Sequence, residues 1–206
     1  MSETSEAHDA LLGRGRRLQY ATIAWNLMEV FVTIGLGLAA GSLALIAFGL
    51  DSLVEVFASL VVVWYIADHD AKGRSRHALR LVAVAFGVLG AYLIGASVYN
   101  IVTGEAADSS PFGIAYLAIT AVVMFGLARV KHRLAKAADS PPFAAEASMT
   151  FLDGCLATGI LVALALNAVF GLWWADPAAA ALVAFFCARE AVDNWREAES
   201  DDVPGI

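Results

Sequence analysis

Charge is what this sequence is short of. Of its 206 residues only 16% are Asp, Glu, Lys or Arg, while 60% are hydrophobic, and the mean hydropathy is +0.70. A soluble domain carries about 25% charged and 45–50% apolar residues, so that class is excluded. Cysteine is scarce as well. Both examples, Cys155 and Cys187, fall in apolar runs, where a thiol behaves as a small packed hydrophobe and says little about redox compartment. No secretory leader is expected: the opening residues are acidic and polar, and the apolar stretch from Tyr20 is too long for a signal core and has no cleavage motif behind it. Strict alternation of apolar and polar residues is missing too, which argues against a β-barrel. No nucleophile or cofactor motif supports an enzyme, and neither a resident cofactor nor a nucleic-acid partner is expected.

What is there instead is a series of apolar runs, each of the length that crosses a hydrocarbon core of about 30 Å as helix. Six can be read, at about 20–41, 42–66, 79–102, 112–128, 143–170 and 177–195. The expected fold is therefore an all-α membrane protein of six transmembrane helices. Gly41 and Ser42 alone separate the first two runs, a tight helical hairpin. Pro111 and Pro177 suit the first turn of a helix, where a missing N–H costs nothing. Gly37 and Gly41 form a small-xxx-small pair suited to a close helix crossing. Asp176 reads as a cap at the start of the sixth helix, with guidance of an exiting cation as the alternative.

The basic residues set the orientation. All 13 lie at one end of the spans: Arg14, Arg16 and Arg17; Lys72, Arg74, Arg76 and Arg80; Arg129, Lys131, Arg133 and Lys136; Arg189 and Arg196. The connections at the other end hold none, so by the positive-inside rule both termini are expected in the cytoplasm. In a prokaryote the membrane would be the inner, plasma membrane. The formal charge of −7 owes much to Glu3, Glu6 and Asp9 at the start and Glu197, Glu199, Asp201 and Asp202 at the end. These read as solvated tails. The expected division is a flexible tail over 1–17, a transport domain over 18–196 and a second tail over 197–206.

Against this background the acids within the spans stand out. At about 1.5 Å per residue, Asp51 lies roughly 13 Å in from the outer end of the second span and Asp153 roughly 15 Å in from the inner end of the fifth. Glu29 in the first span reaches a similar depth. Asp51 and Glu55 are four residues apart and share a helix face, as do Met149 and Asp153. Glu146 lies a further turn toward the inner mouth. An ionised carboxylate at the bilayer centre costs at least about 2.5–3.5 kcal/mol, and no Lys or Arg within the spans is seen to pair with these. The missing partner is then a cation that comes and goes. Several carboxylates around one divalent ion overcompensate its charge, so protons are expected to replace the metal when it leaves. The alternative is a non-transporting scaffold whose acids are hydrogen-bonded glue between helices.

The stretch "GSLALIAFGLDSLVEVFASLV" resembles the second span of the cation diffusion facilitators, in which a small turn leads into a pair of ligands four residues apart. "AEASMTFLDG" resembles their fifth span, and "AWNLMEV" and "WWADPAAAALVAFFCAREAV" the first and sixth. The likeness runs over roughly residues 18–196 and is closest to a short, single-domain branch. It implies a homodimer that exports zinc or a similar divalent ion against inflowing protons. Asp51, Glu55, Asp153, Glu146 and Met149 take the positions of metal ligands. Met149 stands where the family has histidine, which leaves Glu146 or Glu29 as an alternative fourth ligand. The resulting oxygen-rich site admits Mn²⁺, Fe²⁺ or Co²⁺ beside Zn²⁺. The family's cytoplasmic C-terminal domain is expected to be missing, so dimer contacts would run through the spans.

Overall fold

The computed structural model describes the backbone of residues 3–66, 71–104, 107–108, 110–138 and 141–199, and within these all side chains except those of 3–17, 19, 58–66, 71–76, 78, 138 and 141–146. Six helices follow one another: α1 (Glu3–Ala40), α2 (Leu43–Ile66), α3 (Ala71–Thr103), α4 (Pro111–Ala138), α5 (Pro141–Phe170) and α6 (Ala175–Glu199). Most extend past the apolar runs that announced them, α4 by ten residues at its inner end. The extensions are rich in Ala, Leu, Arg, Lys and Glu, which favour helix in water as well as in lipid. Four stretches among the described residues are long and apolar enough to cross a membrane: Tyr20–Ala40, Leu79–Thr103, Pro111–Ala137 and Ala147–Phe170. The uncharged part of α6 is short, bounded by Asp176 on one side and by Arg189, Glu190 and Asp193 on the other. The inner side chains of α2 lie outside the described residues. Outward-facing apolar groups such as Val102 (80% exposed) and Phe112 (79%) invert the surface of a soluble protein and fit a lipid-facing exterior.

Three helices, α1, α3 and α5, end on a glycine in the left-handed region: Gly41 (φ 63°), Gly104 (φ 70°) and Gly171 (φ 65°). At Gly41 the next amide, Ser42 N–H, donates to the Gly37 carbonyl at 2.9 Å. That bond closes a Schellman turn, which only a residue without Cβ enters cheaply. Gly41 is thus the hinge of the α1–α2 hairpin and not half of a crossing motif. The crossing is made by Gly37 with Gly49 on α2. A Cβ on Gly49 would stand 2.5 Å from Thr33 Oγ1 and 2.6 Å from Ile34 Cγ1. Thr33 has no room to yield, being fully buried with its hydroxyl donating to the Glu29 carbonyl. Gly49→Ala is therefore expected to lower stability by about 1–3 kcal/mol through overpacking, read as a fall in thermal midpoint in detergent.

The second helix is the hub. It packs on α1, α3 and α6 and, lightly, on α5, while α3 pairs with α6 and α4 with α5. Its outer half is enclosed on all sides: Ala44, Leu45 and Ala47 are fully buried and Phe48 nearly so. Core residues Phe86, Leu93, Ile160, Leu164, Ala180 and Val183 close around it.

The start of α2 carries an unexpected cap. Ser42 caps its own helix, its Oγ accepting from Leu45 N–H at 3.2 Å. Asp176, on α6, supplies the rest. It accepts from the Ser42 hydroxyl, from Leu43 N–H at 2.8 Å and from Ala44 N–H at 3.2 Å. The residue read as a cap for the sixth helix thus caps the second, in trans. An acid at a helix N-terminus also meets the positive end of the helix dipole.

Candidate metal site

The acids in the second span project from the part of α2 just below that enclosed half. Asp51 is 7% exposed and Glu29 on α1 is 2% exposed; Glu55 and Asp153 are half-buried. Each of the first three receives a hydrogen bond from a neighbouring helix. Ser52 Oγ donates to Glu29 Oε2 at 3.0 Å, a proton it shares with the Phe48 carbonyl. Asn26 Nδ2 donates to Glu55 Oε2 at 2.9 Å. Cys187 Sγ on α6 donates to Asp51 Oδ1 at 3.3 Å. Asp153 on α5 faces Glu29, Asp51 and Glu55, within hydrogen-bond reach of Glu55.

Four of the six expected site residues are therefore neighbours: Glu29, Asp51, Glu55 and Asp153. Met149, one turn below Asp153, is 53% exposed, unlike the acids. The side chain of Glu146 lies outside the described residues. Among those described, no three His, Cys, Asp or Glu side chains converge as ligands around one point. The acids instead point at the donors Asn26, Ser52 and Cys187. These three partners were not singled out by the sequence as part of a site. Only the i, i+3 spacing of Asn26 and Glu29 hinted at one of them.

One basic residue also lies deeper than the sequence suggested. Lys131 reads as part of a cytoplasmic loop, but α4 continues through it and buries it to 5% exposure. Its Nζ donates to Thr150 Oγ1 on α5 at 2.9 Å. Thr150 is three residues from Asp153, so a fixed positive charge stands on the α4–α5 seam about one turn below the acids.

Acids from three helices, gathered around the hub and offset by neutral donors, suit a cation that binds reversibly. The family model of the cation efflux transmembrane domain matches residues 20–201. The chain belongs to the cation efflux family. Comparison with curated proteins gives no match. Members of this family are transporters of divalent metal cations, and the apolar helices of this chain suit an integral membrane protein that effluxes metal cations.

Proposed function

We propose that this cation efflux protein exports a divalent metal ion, zinc foremost, in exchange for protons, through a site formed by Asp51, Glu55 and Asp153 with Glu29 beside them. All six helices would span the membrane, with both termini cytoplasmic, as the one-sided basic residues support. The family likeness adds a homodimer packed through the helices.

The observation that supports the reading is the nearness of Asp153 on α5 to Glu29 on α1 and to Asp51 and Glu55 on α2, close enough for their charges to interact. The α2 and α5 helices touch only lightly, and both carry acids toward one another. Charge balance supplies the coupling. Four carboxylates in a low-dielectric interior exceed what one divalent ion neutralises, and protons make up the difference when the ion departs.

The test is uptake of ⁶⁵Zn²⁺ into proteoliposomes. With the acidic face of a pH gradient opposite the metal, uptake should be accelerated, and collapse of the gradient should slow it. No uptake of Zn²⁺, Mn²⁺, Co²⁺ or Fe²⁺ under any gradient would sink the proposal.

A second reading, selectivity for Mn²⁺, Fe²⁺ or Co²⁺, is favoured by the oxygen-rich set and the exposure of Met149. Cys187 decides between them, as a soft sulfur directly on Asp51. If zinc is the cargo, Cys187→Ser should weaken Zn²⁺ affinity by about tenfold or more, as loss of a supporting group does. Mn²⁺ affinity should hardly move. Isothermal titration in detergent separates the two.

A further inference from the structure

Around Glu29, between α1 and α4, five buried polar atoms have no hydrogen-bond partner: Trp25 Nε1, Asn26 Oδ1, Glu29 Oε1, Tyr116 OH and Thr120 Oγ1. They come from two helices in register. Trp25, Asn26 and Glu29 are one turn of α1, and Tyr116 and Thr120 are one turn of α4. Trp25 and Tyr116 stack across the seam with ring centroids 6.4 Å apart and planes 12° from parallel. Thr120 and Trp25 flank the Glu29 carboxylate, and Thr120 also neighbours Tyr116, yet none of these pairs reaches hydrogen-bond geometry. Three of the side chains are more than nine-tenths buried: Thr120 is fully enclosed, Glu29 is 2% exposed and Asn26 6%.

Buried polar groups are almost always paired, with protein or with ordered water. Where several face one another across a gap, a bridging molecule is the ordinary solution. We propose that the α1–α4 seam is a binding site for water, held by Trp25, Asn26, Glu29, Tyr116 and Thr120. The mixture of groups selects the ligand. Asn26 Oδ1 accepts only, the indole N–H of Trp25 donates only, the two hydroxyls do either, and Glu29 Oε1 accepts when ionised and donates when it carries the proton. Water satisfies all of them together. A bare cation would be repelled by the indole N–H, and a lipid tail would satisfy none.

The site is walled off from the acids by two side chains that serve both sides. Asn26 gives its amide N–H to Glu55 and keeps its carbonyl for the seam. Glu29 gives one oxygen to Ser52 and the other to the seam. Bound water therefore fixes how Asn26 and Glu29 address α2. On the proposed exchange mechanism, it also brings water to Glu29 by a route that does not pass between α2 and α5.

X-ray radiolytic footprinting in lipid nanodiscs tests this directly, because radicals formed from a bound water oxidise the side chains that touch it. Trp25 and Tyr116 should be oxidised promptly in the wild type. Trp25 oxidation should fall severalfold in Thr120→Val, which keeps the shape and removes one anchor of the water. Tyr116→Phe, with Trp25 again as reporter, is the second variant if Thr120→Val does not fold. Equal Trp25 oxidation in the wild type and a folded variant would overturn the proposal. So would a Na⁺-dependent or K⁺-dependent rise in melting temperature that Thr120→Val abolishes, since the site would then hold a cation. Neither readout depends on metal transport, so failure here is distinct from failure of the exchange mechanism.

Discussion

Asp51→Ala is expected to abolish metal transport and the rise in melting temperature that metal produces, while the protein still folds. Asp51 sits among other acids. It shares a helix face with Glu55, faces Asp153 across the α2–α5 seam, and accepts from Cys187. Removing one partner of a buried charge pair costs about 3–5 kcal/mol, roughly two to three orders of magnitude in affinity. Folding should survive because the substitution removes a group already expensive to bury, and the donor it accepts from, the Cys187 thiol, is a weak one. Asp51→Asn separates charge from shape. It keeps an oxygen for the Cys187 thiol but no charge for the cation, so it should bind metal almost as poorly as the alanine variant. If Asp51→Asn transports at the wild-type rate, the acid is structural and the scaffold reading gains.

The acids themselves were legible in the sequence because depth in a membrane follows from counting. Counting puts Glu29, Asp51 and Asp153 at a similar depth with Glu55 one turn away, and the structure sets Asp153 near enough to the other three for their charges to interact. Which face of each helix meets which neighbour is a tertiary fact, and there the sequence was silent. Ser52, Asn26 and Cys187 look like ordinary small or polar residues until α1 and α6 are laid against α2. Lys131 was misplaced for a different reason: a cluster of Lys and Arg marks where the bilayer ends but not where the helix ends. Its burial comes from contact between α4 and α5 that persists past the apolar run. Gly37 was rightly suspected of a close crossing, but its counterpart is Gly49 on α2. Gly41 is spent on the turn, and a spacing rule cannot distinguish a glycine needed for its φ from one needed for its size.

Asp176→Ala should be the most destabilising single change in the described part of the molecule. Asp176 and Ser42 are 134 positions apart in sequence, so no local pattern pairs them, yet both are almost wholly enclosed, at 1% and 0% exposure. Removing the carboxylate leaves the Ser42 hydroxyl and the amides of Leu43 and Ala44 without acceptors. A hydrogen bond to a charged group contributes about 1.5–3 kcal/mol, and each buried donor left unpaired costs about 1–3 kcal/mol. Partial relaxation and water at the helix end keep the sum below the total of the three, so a loss of about 3–5 kcal/mol is expected. Ser42→Ala should cost about 1 kcal/mol, the usual worth of a serine N-cap, since Asp176 still reaches two amides. Asp176→Asn should fall between them, because its amide keeps one acceptor. Chemical unfolding of the three variants in detergent, together with the double variant, measures this. A coupling near zero between Ser42→Ala and Asp176→Ala would mean the two do not act as one cap. A large coupling would show that α6 holds the N-terminal end of α2 in place, and with it the position of Asp51 and Glu55 further along that helix.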